Sequence, residues 1–254
     1  VIPVIPGTPV RAPSLGGTTR FIRYAFMPNR LQYCGGDDNR TILEYAVADV
    51  REPPLVGMLK KFTGALPYLS LIARGNGIAD PFDERVVEAY WLGNELLERV
   101  EARSLYDDLR ARYGTQLSPR IMERVAAKAP AGARPHHSFH VLDVWRQAER
   151  GTADVLAMLD SCRISWGTVT AVDGGELVVQ RPPVVLRDGA LELDPPRSER
   201  VTRMLEGRGF VADAKIGDIV SLHWSWACEV LTPAQQQTLE RYTRLHLRLA
   251  SQTI

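Results

Sequence analysis

Cysteine is scarce in this chain: three residues, Cys34, Cys162 and Cys228, among 254. An odd number so widely spaced cannot form a complete disulfide framework, and with no CxxC pair there is no zinc knuckle, so a reducing compartment is expected. An excess of charge of either sign is also missing. Thirty-one Lys and Arg against 30 Asp and Glu leave a formal charge of +1, which removes any global electrostatic reason to bind nucleic acid or anionic lipid. No apolar run approaches the roughly 18–20 residues that span a bilayer. The opening Val1-Ile2-Pro3-Val4-Ile5-Pro6 lacks the basic-then-apolar layout of a signal peptide, and cytoplasm is the expected location. A phosphate-binding P-loop, a GxGxxG after a strand, a GxSxG elbow and an EF-hand loop are all absent. Those absences argue against nucleotide, dinucleotide, serine-hydrolase and calcium chemistry.

What is present suffices for a globular core, since 45% of the residues are hydrophobic. Four prolines with Gly7, Gly16 and Gly17 make residues 1–19 an expected extended arm, which is either a free tail or a strap on a neighbouring subunit of a homodimer. From about residue 37 to 160 apolar residues recur at helical spacing, broken by Pro53-Pro54, Gly75-Asn76-Gly77, Gly114 and the stretch 129–135. The pattern predicts five to seven helices, placing a helical domain over 20–160. Its clearest member would be capped by Asp80, start at Pro81 and run through Val86, Val87, Tyr90, Trp91, Asn94, Leu97 and Val100. After Cys162 the pattern turns to short β-branched runs at 165–172, 177–180, 184–186, 191–193 and 219–223. Asp173-Gly174-Gly175 and Arg187-Asp188-Gly189 supply the hairpin turns. The expected fold class is therefore α+β: a helical N-terminal part, a small β-barrel over 161–254, and a closing helix from Thr232-Pro233 to about Ala250.

The strongest chemical signal is the pair Cys162 and His223, one at the start of the first strand and one at the end of the strand Gly217-Asp218-Ile219-Val220-Ser221-Leu222-His223. The run Cys162 to Val169 with Val172-Asp173-Gly174, together with Gly217 to Ala227 leading into Val230, Leu231 and a helix, resembles the HypC/HupF family of [NiFe]-hydrogenase maturation chaperones. That resemblance spans roughly 80 residues and implies a HypC-like (OB-like) barrel. It also implies that Cys162 and His223 hold iron as a cyanide/carbonyl fragment, and that the partner is a maturation or hydrogenase-like protein. The chemistry suits the residues, because a thiolate is a soft, strong donor and a neutral imidazole completes part of a coordination sphere. Cys162 lies some 160 residues into the chain rather than at the amino terminus, Trp166 stands where the family has proline, and 187–212 reads as an insertion. The whole chain, including Arg23 to Phe26, Tyr33-Cys34-Gly35 and Val87 to Trp91, is similar to an uncharacterised actinobacterial family.

Three of the five histidines fall in His136-His137-Ser138-Phe139-His140. On a helix His136 and His140 sit one turn apart and could share a transition metal with Asp143 nearby, or His137 and His140 could act in acid–base chemistry. The position after His136 is His137 rather than glutamate, so this is no zincin motif, and Pro135 suits a helix start where histidines simply cap. Cys34, beside Gly35 and Gly36, is a candidate nucleophile or an idle thiol. Tyr90, Trp91, Trp224 and Trp226 are candidates to line a ligand pocket, and core packing is the alternative for each. Two functions stay open: a metallocentre accessory protein presenting Cys162 and His223, or a biosynthetic enzyme with a small-molecule substrate in a cleft between the two parts. The second has some of Cys34, Cys162, His136, His137, His140 and His223 as its acid, base or nucleophile and needs no cofactor.

Overall fold

A computed structural model of the chain describes residues 16–48, 53–145 and 155–252. The expected arm at 1–15 lies outside the described residues. Residues 17–19, expected to belong to that arm, instead form the first turn of helix α1 (Gly17–Arg30). A glycine at 17 is required by packing: a Cβ there would lie 1.8 Å from the Phe82 carbonyl oxygen.

The helical part holds more, and shorter, helices than expected: α2 (Asn39–Ala48), α3 (Pro53–Leu59), α4 (Leu66–Gly75), α5 (Glu84–Trp91), α6 (Ala102–Tyr113), α7 (Pro119–Ala126), α8 (His137–Phe139) and α9 (Val155–Cys162). Helix α5 illustrates why. Its cap is Asp83, whose side chain accepts from the Arg85 amide, while Asp80 caps the turn before it through the Phe82 amide. The helix stops at Trp91 because Gly93 takes φ +88° and lets the Tyr242 ring approach to within 2.2 Å of where a Cβ would stand. The chain resumes as a 3-10 turn over Glu95–Arg99 capped by Asn94.

The second part is a mixed five-stranded sheet formed by β1 (Ser165–Asp173), β2 (Glu176–Arg181), β5 (Arg197–Thr202), β6 (Ile219–His223) and β7 (Trp226–Leu231), with β3 (Val184–Arg187) and β4 (Ala190–Leu193) as a separate hairpin. The order β1-β2-β5-β7-β6 closes on itself, through a parallel pairing of Thr202 with Trp226 and the antiparallel pairing of β6 back onto β1. Strand β5 occupies the segment read as an insertion. Val169, Leu177, Val179, Val201, Val220, Leu222 and Ala227 fill the space enclosed by the strands. The closing helix α10 (Pro233–Ser251) starts as expected on a Thr232–Gln235 capping box.

The two parts share one core, which runs from α1 and α5 into Trp226, Cys228 and Leu231 of β7. Helix α1 is fastened to the sheet by a buried polar cluster. Arg20 donates through Nε and Nη2 to Glu229 at 3.2 and 2.9 Å, and the Tyr24 hydroxyl donates to the same carboxylate and meets Ser221 Oγ at 3.0 Å. Ser221 and His223 point to α1, opposite to Val220 and Leu222, as strand alternation requires. No helix among the described residues is long and apolar enough to cross a membrane.

Candidate metal centre

Cys162, at the end of α9, and His223, at the end of β6, come together with a third residue, His137, at the start of α8. One donor atom from each lies within 4.8 Å of the others, so the group could hold a metal ion. They line a cavity of about 100 Å³ between the helices and the sheet, together with Cys34, Tyr90, Trp91, His140 and Trp224. Eight of the sequence-derived candidates thus share one cavity. His136, Asp143 and Trp226 do not line it.

His223 is oriented by an opening in α1. Pro28 lies inside that helix and has no amide hydrogen, so the Tyr24 carbonyl four residues earlier receives no helical bond. His223 Nδ1–H donates to that carbonyl at 2.6 Å. This leaves the lone pair on Nε2, which is buried and without a hydrogen-bond partner. Burial pushes the imidazole down to about 4, against the opposing pull of the Tyr24 and Cys162 carbonyls, so the ring is neutral at ordinary pH. A buried imidazole held through its far nitrogen by a backbone carbonyl is the usual arrangement of a metal-ligating histidine.

Cys162 faces the cavity, and desolvation pushes its thiol up to about 12, with Cys34 opposing ionisation as well. The Trp224 indole N–H favours the thiolate from nearby, although it makes no bond of hydrogen-bonding geometry. His137 is engaged at both nitrogens: Nε2–H donates to the Cys162 carbonyl at 2.9 Å, and Nδ1 accepts from the Tyr90 hydroxyl at 3.1 Å. Its ring therefore fixes the Cys162 backbone and would give up one of these bonds to bind a metal. Burial, then the neighbouring His223 and His140, hold it well below the usual histidine range.

The remaining candidates divide. His140 lines the cavity with its Nδ1 unpartnered, and burial lowers it to about 4. His136 does not join His140 on a metal, because it is the cap of α8 rather than part of it, and the chain winds into a π-helical turn at His140–Trp145. Its ring stacks on Tyr242 and His246 of α10 instead. There the Arg134 amide donates to His246 Nε2, His246 Nδ1–H to Ser138 Oγ, and the Ser138 hydroxyl to His136 Nδ1, a chain that pins α8 to α10. Trp226 is fully buried between Phe26 and Phe210. Trp224 stacks face to face on Tyr33 at 4.2 Å over the cavity.

Sequence reasoning missed Tyr33, Pro28, Phe62, Gly64 and Ala65, all of which line the cavity. Gly64 stands where a Cβ would press on His140 Nε2 at 3.3 Å. The Tyr24 contribution is a backbone carbonyl, and its one mark in the sequence is Pro28 four residues on.

The arrangement defines the chain as an α+β protein with a buried Cys/His cluster at the junction of helices and sheet. Residues 13–254 match the model of a family of unknown function (DUF6390), and the chain belongs to that family. No curated protein and no solved structure matches it.

Proposed function

We propose that the chain is a metallocentre accessory protein that holds a transition metal on Cys162 and His223, with His137 as the third donor. The observation that carries this reading is His223: one ring nitrogen is fixed by the Tyr24 carbonyl and the other is buried, unpartnered and grouped with a thiol and a second imidazole. A soft sulfur with two nitrogens suits iron, zinc, nickel or copper and not calcium or magnesium. The resemblance of 162–174 and 217–231 to the HypC/HupF chaperones supports iron carrying cyanide and carbonyl as the cargo and a HypC-like barrel as the scaffold. Three protein donors would leave positions open toward the cavity for such ligands.

The Cys162 thiol and its neighbours argue in the same direction. Desolvation pushes the Cys162 thiol up to about 12, and every nearby histidine is held neutral. No imidazolium–thiolate pair stands ready for metal-free nucleophilic catalysis. A bound metal would itself displace the Cys162 proton. The alternative reading, an enzyme acting on a small molecule, draws on the unpartnered His140 Nδ1 in the same cavity. The test is isolation of the native protein without oxygen from cells making hydrogenase, followed by elemental analysis and infrared spectroscopy. About one iron per chain with cyanide and carbonyl bands is expected, and Cys162→Ala and His223→Ala should each abolish both in folded protein. A metal-free native protein would sink the reading.

A further inference from the structure

Cys34 lines the cavity that holds Cys162 and His223, yet it is not one of the three residues whose donor atoms lie within 4.8 Å of one another. It is also the more exposed of the two cavity cysteines, Cys162 being only partly so. Its position is built. The Asn29 side-chain amide, itself buried, donates to the carbonyls of Cys34 at 2.9 Å and Gly36 at 2.6 Å, and its oxygen accepts from Asn39 at 3.1 Å. Gly35 takes φ +84°, and a Cβ there would strike the Asn29 amide and the Phe62 ring at 2.5 and 2.6 Å. Tyr33 next to it stacks on Trp224, which lies beside the Cys162 thiol. The unpartnered, buried Nε2 of His223 points independently to a ligand in this space.

We propose that Cys34 is a relay thiol at the mouth of the cavity, through which the metal passes between solvent or a partner and the inner Cys162/His223 site. The inference rests on the metal-binding reading above. Exchange proceeds without redox change. A metal–sulfur bond forms at Cys34 as a bound water or the partner's ligand leaves the metal and the thiol proton passes to water. The metal–Cys162 bond then forms as the metal–Cys34 bond breaks, and the Cys162 proton returns to the Cys34 sulfur. Stepwise replacement of one thiolate by another avoids releasing a bare cation into an apolar cavity, which is costly.

The test uses the full-length metal-free protein under anaerobic conditions, with cobalt(II) as probe and the sulfur-to-cobalt charge-transfer band as readout. Cys34→Ser should slow both uptake and removal by a chelator, each by about tenfold for loss of the soft donor in the first step, while affinity and the final band are kept. Tyr33→Ala, which opens the mouth but keeps the thiol, should exchange at least as fast as wild type. Reversible methylthiolation of Cys34 in the wild-type protein should reproduce the slowing, and reductant should relieve it, whether or not the serine variant folds. Unchanged rates after Cys34→Ser and methylthiolation would overturn the relay and leave the inner site standing. Lost affinity at an unchanged uptake rate would make Cys34 an equilibrium ligand and equally overturn it. No cobalt band in wild type would instead remove the metal reading itself, and the relay with it.

Discussion

Trp224 and Ser225 join β6 to β7 in a two-residue turn with φ +53° and +54°, left-handed values that side chains with a Cβ resist. The turn persists because both residues are tied down. The Trp224 amide donates to the Ser161 carbonyl at 2.9 Å, beside Cys162, and the Ser225 carbonyl accepts from the Thr202 amide at 2.8 Å. Each left-handed L-residue costs on the order of 1–2 kcal/mol, part of which glycine recovers. Ser225→Gly is therefore expected to stabilise the fold by about 1 kcal/mol in urea denaturation, with cobalt binding unchanged. A loss of stability would show that Ser225 carries weight the turn geometry does not explain. At this scale the sequence was informative for Cys162 and His223, because strand and glycine contexts flank both. It was less so for the histidine cluster. The assumption of a regular helix paired His136 with His140, whereas the cap at His136 and the π-helical turn send His136 to α10 and leave His137 facing Cys162.

At the scale of elements, α1 governs the site although its sequence carries helix breakers at both ends. Gly16-Gly17 and Pro28 argue against a helix, and each is used: Gly17 for close packing on Phe82, Pro28 to free the Tyr24 carbonyl. Pro28→Ala restores an amide that competes with His223 for that carbonyl. The expected result is cobalt affinity lowered about 10- to 100-fold, the usual effect of losing the partner that orients a ligand, with thermal stability unchanged or raised. Unchanged affinity would mean that His223 does not need the Tyr24 bond. The same helix depends on Glu229. Glu229→Ala removes the two-pronged partner of the buried Arg20 guanidinium and leaves it only the longer contacts to Glu84 at 3.8 Å and Glu88 at 3.6 Å, so it should cost about 1.5–3 kcal/mol in denaturant titration, whereas a cost under about 1 kcal/mol is what a solvated pair would give. Strands β5 and β7 escaped sequence analysis for opposite reasons. In Arg197-Ser198-Glu199-Arg200-Val201-Thr202 only Val201 is buried, so the run reads as a polar loop. Trp226 to Leu231 is buried on both faces at nearly every position and lacks alternation.

For the whole molecule, the change of pattern near residue 160 marks a change of secondary structure, and packing runs straight across it. All five histidines of the chain lie in this junction, and burial lowers each of them, His136 to about 3 and His140 and His223 to about 4, with His137 and His246 also well below the ordinary range. The unfolded chain titrates them near ~6.5, so below that pH it binds protons that the folded protein refuses. Stability is then full above the unfolded value and falls as pH drops below it, continuing until the folded values are reached. Each histidine contributes up to about 1.4 kcal/mol per pH unit in that window, and five approach about 7, against a typical total of about 5–15. The metal-free protein should therefore unfold cooperatively between about pH 6 and 5, taking up several protons, well above the range where carboxylates titrate. Urea midpoints at successive pH values and direct proton-uptake measurements check this. A flat profile from pH 7 to 5 would mean that the imidazoles find protons in the folded state, and with that the lone pair assigned to His223 Nε2 would no longer be available for a metal.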